Sequence, residues 1–201
     1  MARKQAPDFG QRRDAILEHA AKLYAEHGFL GASIADLAAA CKTSKSLIYH
    51  YYPSKEDILF DVMHSHVRAL LDAAERVAAE PRPPTAKLHA LTQAFMRLYV
   101  GAASRHKVLL NELAQLAPRQ REIVVRIQRR LIDVVQEILV EIRPDLAKRA
   151  ALKRPAAMLY FGMINWTHTW LDADGRAAPD KIAALAANLF LDGIVKGDVG
   201  L

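Results

Sequence analysis

Apolar side chains return every three or four positions along nearly the whole chain, the spacing of one face of an α-helix. Ile16, Leu17, Ala20, Leu23 and Tyr24 form such a face and predict a helix from about Gln11 to His27, stopped by Gly28. Ser33 and Asp36 make a capping-box-like start to a short second helix ending near Cys41, since each can satisfy an orphan amide there. Thr43 or Ser44 caps a third helix, and Pro53, which has no N–H, ends it. Ser54-Lys55-Glu56-Asp57 repeats the capping pattern ahead of a long fourth helix that turns Ile58, Val62, Met63, Val67, Leu70 and Leu71 inward. The tract Glu80-Pro81-Arg82-Pro83-Pro84 breaks it. Further helices follow near Thr85–Ala103, His106–Leu116 and Pro118–Ile142. Another starts between Ala147 and Pro155 and reaches Leu171; a turn at Asp172-Ala173-Asp174-Gly175 leads to the last, Pro179–Val195. No Asn-Gly or Asp-Gly hairpin is present, and no alternating β-branched run of useful length occurs, so strands are not expected. The first ten residues read as a basic, mobile arm. The predicted fold is all-α: an arm and a three-helix unit over residues 1–55, then a larger helical body over 56–201.

Composition narrows what such a chain can be. At 201 residues it can bury a real core, and 52% apolar residues exclude a disordered protein. The formal charge of +6 favours a polyanionic partner, either nucleic acid or a membrane surface. No apolar run is long enough to cross a bilayer, and Arg3, Lys4, Asp8, Arg12 and Arg13 interrupt any signal-peptide pattern. The single cysteine, Cys41, permits no intrachain disulfide and suits a reducing cytoplasm. His64 and His66 point to different sides of a helix, and there is no Cys/His quartet, so no metal site is expected.

The most informative stretch is Thr43-Ser44-Lys45-Ser46-Leu47-Ile48-Tyr49-His50-Tyr51-Tyr52-Pro53-Ser54-Lys55. Two short helices joined by a tight polar turn, the second rich in Lys, Tyr and His, describe a helix-turn-helix that lays its second helix in the major groove. Lys45 and Ser46 sit in its first turn, and Tyr49 and His50 lie one turn on, within reach of base edges or sugar-phosphate. Lys55 begins the next helix, where a lysine can neutralise a phosphate. Leu47, Ile48 and Tyr51 turn partly inward. Arg3, Lys4, Arg12 and Arg13 offer further contacts from the arm.

The Ile16-Leu17 and Ala20-Ala21 pairs, Gly28, Ser33 with Asp36-Leu37-Ala38, Lys45 to Tyr52, and Ser54-Lys55-Glu56 together resemble the TetR family of transcriptional regulators over roughly the first 60 residues. The resemblance implies a homodimer built through the last two helices, an effector pocket in each body, and an inverted-repeat operator on double-stranded DNA. It implies backbone contacts from Tyr49 and Lys55 and base specificity from Lys45, Ser46 and His50. Ser33, Thr43 and Ser44, at the helix starts, complete the expected DNA-contacting set.

A second resemblance rests on Phe161-Gly162-Met163-Ile164-Asn165-Trp166-Thr167-His168-Thr169-Trp170, followed by Asp174-Gly175. It is similar to the branch of that family that senses CoA thioesters, although Leu171 stands where many members have tyrosine. On a helix, Gly162, Asn165, Trp166, Thr169 and Trp170 share one face, which suits an effector or a neighbouring helix equally. Phe95, Met96, Tyr99, Leu113 and Phe161, with Leu109, form an apolar set suited to an acyl group or to ordinary core. The cations Arg105, Lys107, Arg126, Arg129 and Arg130 are available for CoA phosphates, but most basic residues on helices are solvated, and none is singled out.

The expected function is thus a regulator, most simply a repressor, released from DNA by a CoA thioester such as phenylacetyl-CoA or a fatty acyl-CoA. No resident cofactor is expected. Two alternatives remain on sequence alone: a drug-efflux regulator sensing a hydrophobic xenobiotic, and an enzyme acting on acyl-CoA. Against the enzyme stand the lack of a Gly-rich phosphate loop, a Gly-x-Ser-x-Gly elbow or a paired acid/base set.

Overall fold

The computed structural model describes residues 8–171 and 178–196; the expected turn at 172–175 and the arm cations Arg3 and Lys4 lie outside them. Among the described residues every regular element is helical: α1 (Asp8–Gly31), α2 (Ile34–Ala40), α3 (Lys45–Tyr51), α4 (Lys55–Ala79), α5 (Pro84–Gly101), α6 (Ala103–Asn111), α7 (Pro118–Ile142), α8 (Ala150–Asn165) and α9 (Pro179–Lys196). None of these helices is long and apolar enough to cross a membrane.

The ends of the elements follow local chemistry. α1 begins at Asp8, right after Pro7, so part of the expected arm is helical. Gly28 breaks it with φ 74° and ψ 160°, a backbone that a Cβ would strain, and one more turn runs to Gly31. Pro84 occupies the first position of α5, where its missing N–H has no intrahelical partner to lose. The helix expected at His106–Leu116 instead spans Ala103–Asn111, followed by a 3₁₀ turn at Leu113–Gln115.

α8 departs furthest from expectation. It stops at Asn165, and a 3₁₀ turn covers Trp166–Thr169. Three consecutive side chains there engage carbonyls three residues back: Thr167 Oγ1 donates to Ile164 O (2.6 Å), His168 Nδ1 pairs with Asn165 O (2.7 Å), and Thr169 Oγ1 donates to Trp166 O (2.8 Å). Such local bonds compete with the α-helical ladder and tighten the turn.

The chain packs as two compact units that do not follow chain order. One comprises Met1–Val67 with Ser104–Val125; the other comprises Arg68–Ala103 with Arg126–Leu201. In the first, Ile16, Ala20, Tyr24, Leu37, Ile48, Ile58 and Met63 are buried in the core. This unit also buries His66 of α4 against His106 of α6, with Nε2 and Nδ1 3.2 Å apart, so one ring donates and the other accepts. In the second, α5 packs along α9, and Leu88, Leu91, Phe95, Tyr160, Ile164 and Ala187 are sealed from solvent.

Candidate nucleic-acid interface

The reader is assembled by three caps. Ser33 accepts the Asp36 amide (3.1 Å) while Asp36 Oδ2 takes the Ser33 amide (2.9 Å) and hydroxyl (2.6 Å), a complete capping box at the start of α2. These bonds hold the Asp36 carboxyl below its usual pKa. At the other end, Thr43 N–H donates to Ala38 O (2.9 Å) and Lys42 N–H to Ala39 O (3.0 Å), a Schellman closure with Lys42 at φ 51°. Glycine is the usual residue in that left-handed position, and lysine occupies it here. Ser44, rather than Thr43, then caps α3 by accepting the Leu47 amide at 3.2 Å.

With the turn closed, α3 has two distinct faces. Ile48 is completely buried, as are Leu37 and Ala38 of the neighbouring α2, and Leu47 and Tyr51 are half-buried. Lys45, Ser46, Tyr49 and His50 face solvent, and Tyr49 keeps 52% of its surface exposed. Burying one isoleucine is worth about 1.5–3 kcal/mol, enough to fix the rotation of a two-turn helix. The structure leaves these four side chains together on the solvent side of α3. Ser33 and Ser44 are exposed but spend their hydroxyls on capping.

Lys55 behaves differently from expectation. Its ammonium donates to Ala32 O at 2.6 Å and lies 4.1 Å from the centre of the Phe29 ring. It therefore ties the start of α4 to the approach to α2. The expected cap of α4 is present: Ser54 accepts the Asp57 amide (3.1 Å) and donates to its carboxylate (2.6 Å). Arg13, expected to be available to DNA, pairs with Asp61 and stacks on Tyr52; both Arg12 and Arg13 are exposed. Arg12 and Lys42 line one groove beside α3, with Cys41, Leu47 and Tyr51.

The residues expected to hold an effector separate into groups. Phe95 and Met96 are fully buried, and Tyr99 and Phe161 nearly so. The Phe95 ring lies 6.2 Å from Tyr99 and 5.9 Å from Phe161, and Tyr99 Oη donates to Asn165 Oδ1 at 2.7 Å. Burial pushes the Tyr99 phenol well above its usual pKa. Leu113 falls in the other compact unit. Gly162, Trp166, Thr169 and Trp170 are exposed, with Trp166 at 65% and Trp170 at 54%. A Cβ at Gly162 would meet nothing within 4 Å, so no close approach inside the chain explains that glycine.

Other exposed apolar side chains were not outlined by sequence reasoning. Met158 and Leu159 of α8 and Leu185 and Leu189 of α9 are also exposed. A cavity of about 390 Å³ lies among Leu152, Leu159, Met163, Leu189, Phe190 and Gly193, with Arg143 and Arg149 at its margin. An apolar surface of this kind marks an interaction site.

A capped two-helix reader with a polar outer face defines a helix-turn-helix DNA-binding protein, and comparison with known proteins agrees. Residues 16–62 match the family model for bacterial regulatory proteins of the tetR family, and residues 81–194 match the Tetracyclin repressor-like C-terminal domain. The chain belongs to the TetR family of helix-turn-helix transcriptional regulators. The crystal structure of a TetR-family regulator from Bordetella parapertussis is 40% identical, covers 92% of this chain and 96% of its own, and superposes with a TM-score of 0.87. AibR in complex with isovaleryl coenzyme A and operator DNA is 26% identical, covering 89% of this chain and 97% of its own, with a TM-score of 0.75. The fatty acid metabolism regulator protein of Bacillus subtilis is 24% identical over 181 residues, which is 89% of this chain and 93% of that protein. The chain spans only 19% and 33% of the length of two further curated regulators, whereas the KstR2 repressor of Rhodococcus jostii aligns over 91% of both chains at 21% identity.

Proposed function

We propose that this chain is a homodimeric, cytoplasmic repressor that reads an inverted-repeat operator with paired α3 helices and leaves it on binding a CoA thioester. One observation carries the DNA half: Lys45, Ser46, Tyr49 and His50 stand together on the outer face of a helix whose inner face is locked by Ile48. Two such helices about 34 Å apart address successive major grooves on one side of B-form DNA. The apolar surface of α8 and α9 supports pairing of two copies through the last two helices.

The effector half rests on a relative solved with isovaleryl coenzyme A and on the Asn165-Trp166 and Trp166–Trp170 pattern. Phe95, Met96 and Phe161 supply an apolar wall for an acyl group, and the Tyr99–Asn165 pair supplies donors and acceptors for a thioester carbonyl. A short branched or aromatic acyl group suits that aromatic wall. Release works by a population shift: the effector must favour a reader spacing that no longer matches the grooves. α4 runs unbroken from the reader-side Lys55 to Ala79 and contributes to both compact units, so it is the lever in this mechanism.

Titration calorimetry with CoA, isovaleryl-CoA, phenylacetyl-CoA and a long-chain acyl-CoA tests this. Micromolar binding of a thioester, not matched by free CoA, and loss of the gel shift at the same concentration are the expected results. Binding only of a lipophilic cation would replace the thioester with a xenobiotic. Turnover of the thioester would replace the regulator with an enzyme.

A further inference from the structure

Phe9 lies in the stretch that sequence reading assigns to a mobile arm, yet it is part of α1 and packs on the reader. Its ring centre is 4.6 Å from Tyr51 with the planes tilted by 33°. It also lies 6.4 Å from His50, edge-on at 79°, and His50 in turn stands edge-on to Tyr51 at 5.4 Å. Three rings thus meet at the C-terminal end of α3. Two of them, Phe9 and Tyr51, are half-buried, while His50 faces outward. An exposed imidazole on a short helix samples several rotamers and loses that freedom when it contacts a base. Edge-to-face contacts with two fixed rings restrict it beforehand.

We propose that Phe9 is a positioning residue for sequence readout: together with Tyr51 it fixes the orientation of His50 and so sets the preference at the base pair His50 meets. This rests on the reading of α3 as the DNA-contacting helix. It is distinct from any phosphate contact by the neighbouring arm cations, because loss of a phosphate contact weakens all sequences alike, whereas loss of His50 orientation relaxes one position.

The test begins with full-length wild-type protein selected against a randomised duplex pool. The preferred duplex and its single-base variants are then titrated at one fixed salt concentration with wild type, Phe9→Leu, Phe9→Tyr, His50→Ala and Phe9→Leu/His50→Ala. Phe9→Leu keeps an apolar side chain and the helix, and thermal melts of each variant check the fold. Phe9→Leu is expected to lose about three- to tenfold selectivity, at the same base pair as His50→Ala. Phe9→Tyr should retain wild-type preference, and the double variant should be no less selective than His50→Ala. A uniform loss across all duplexes, relaxation at a different base pair, or additive losses in the double variant would overturn the proposal. If His50→Ala itself leaves every base preference intact, the assignment of His50 as a reader falls along with the inference. A selective loss with His50→Ala and none with Phe9→Leu sinks the inference alone.

Discussion

Lys42 occupies a backbone conformation that most side chains avoid, at φ 51° in the turn between α2 and α3. The left-handed region costs a non-glycine residue about 1–2 kcal/mol, and glycine returns about 0.5–1 of that through its freer unfolded chain. Lys42→Gly should therefore stabilise the protein by about 0.5–1 kcal/mol, measured as a higher denaturation midpoint at unchanged slope. An unchanged or lower midpoint would show that the lysine side chain contributes more than its backbone costs. The sequence made the identity of this turn legible, because Ser33-x-x-Asp36 and Ser44 announce both helix starts. It did not announce the role of Lys55. A lysine at a helix start reads as a phosphate contact, and only the nearby Ala32 carbonyl and Phe29 ring show that it also braces the unit.

At the scale of elements, α4 and α6 meet through a histidine pair, and the titration of His66 has a definite sign. Burial, reinforced by Arg105, lowers the His66 pKa from 6.5 to about 4. Between those values the unfolded chain holds a proton that the folded chain does not, so stability is complete above pH 6.5 and falls as pH drops toward 4. The loss reaches at most about 3 kcal/mol. In His66→Gln the difference in melting temperature between pH 7.5 and pH 5 should shrink; an unchanged difference would place the acid sensitivity elsewhere. The α8–α9 face makes a second prediction. Leu189→Asp puts a charge on the exposed apolar surface and should shift the protein to monomer in light scattering while far-ultraviolet dichroism stays the same. A dimer that persists would move the interface to another surface.

Helical period was visible from the sequence almost everywhere along these elements, and it located the long helices other than α8 to within a few residues. It failed after Asn165, where Thr167, His168 and Thr169 draw carbonyls into a 3₁₀ turn. Extrapolating an α-helical face through that turn joined Asn165, half-buried against Tyr99, to Trp166 and Trp170, which are exposed. It failed again before Gln11, where apolar Phe9 was too isolated to reveal a helix.

For the whole molecule, the basic balance, the helical fold and the capped reader converge on operator DNA. Grouping by packing cuts across chain order, since Ser104–Val125 joins the reader rather than the body. α6 from Ser104, the turn after it and the start of α7 therefore belong to the same compact unit as the reader, and α4 is divided between the two units. The central claim is that the outer face of α3 reads duplex DNA in pairs. Selection from a randomised duplex pool, followed by titration of the enriched duplex and its single-base variants with wild type and Lys45→Ala, tests it most directly. An inverted repeat with half-sites about one helical turn apart, and a base preference that relaxes at the same position of both half-sites in Lys45→Ala, is the predicted result. No enrichment over the starting pool, or the full wild-type preference retained in Lys45→Ala, would contradict it.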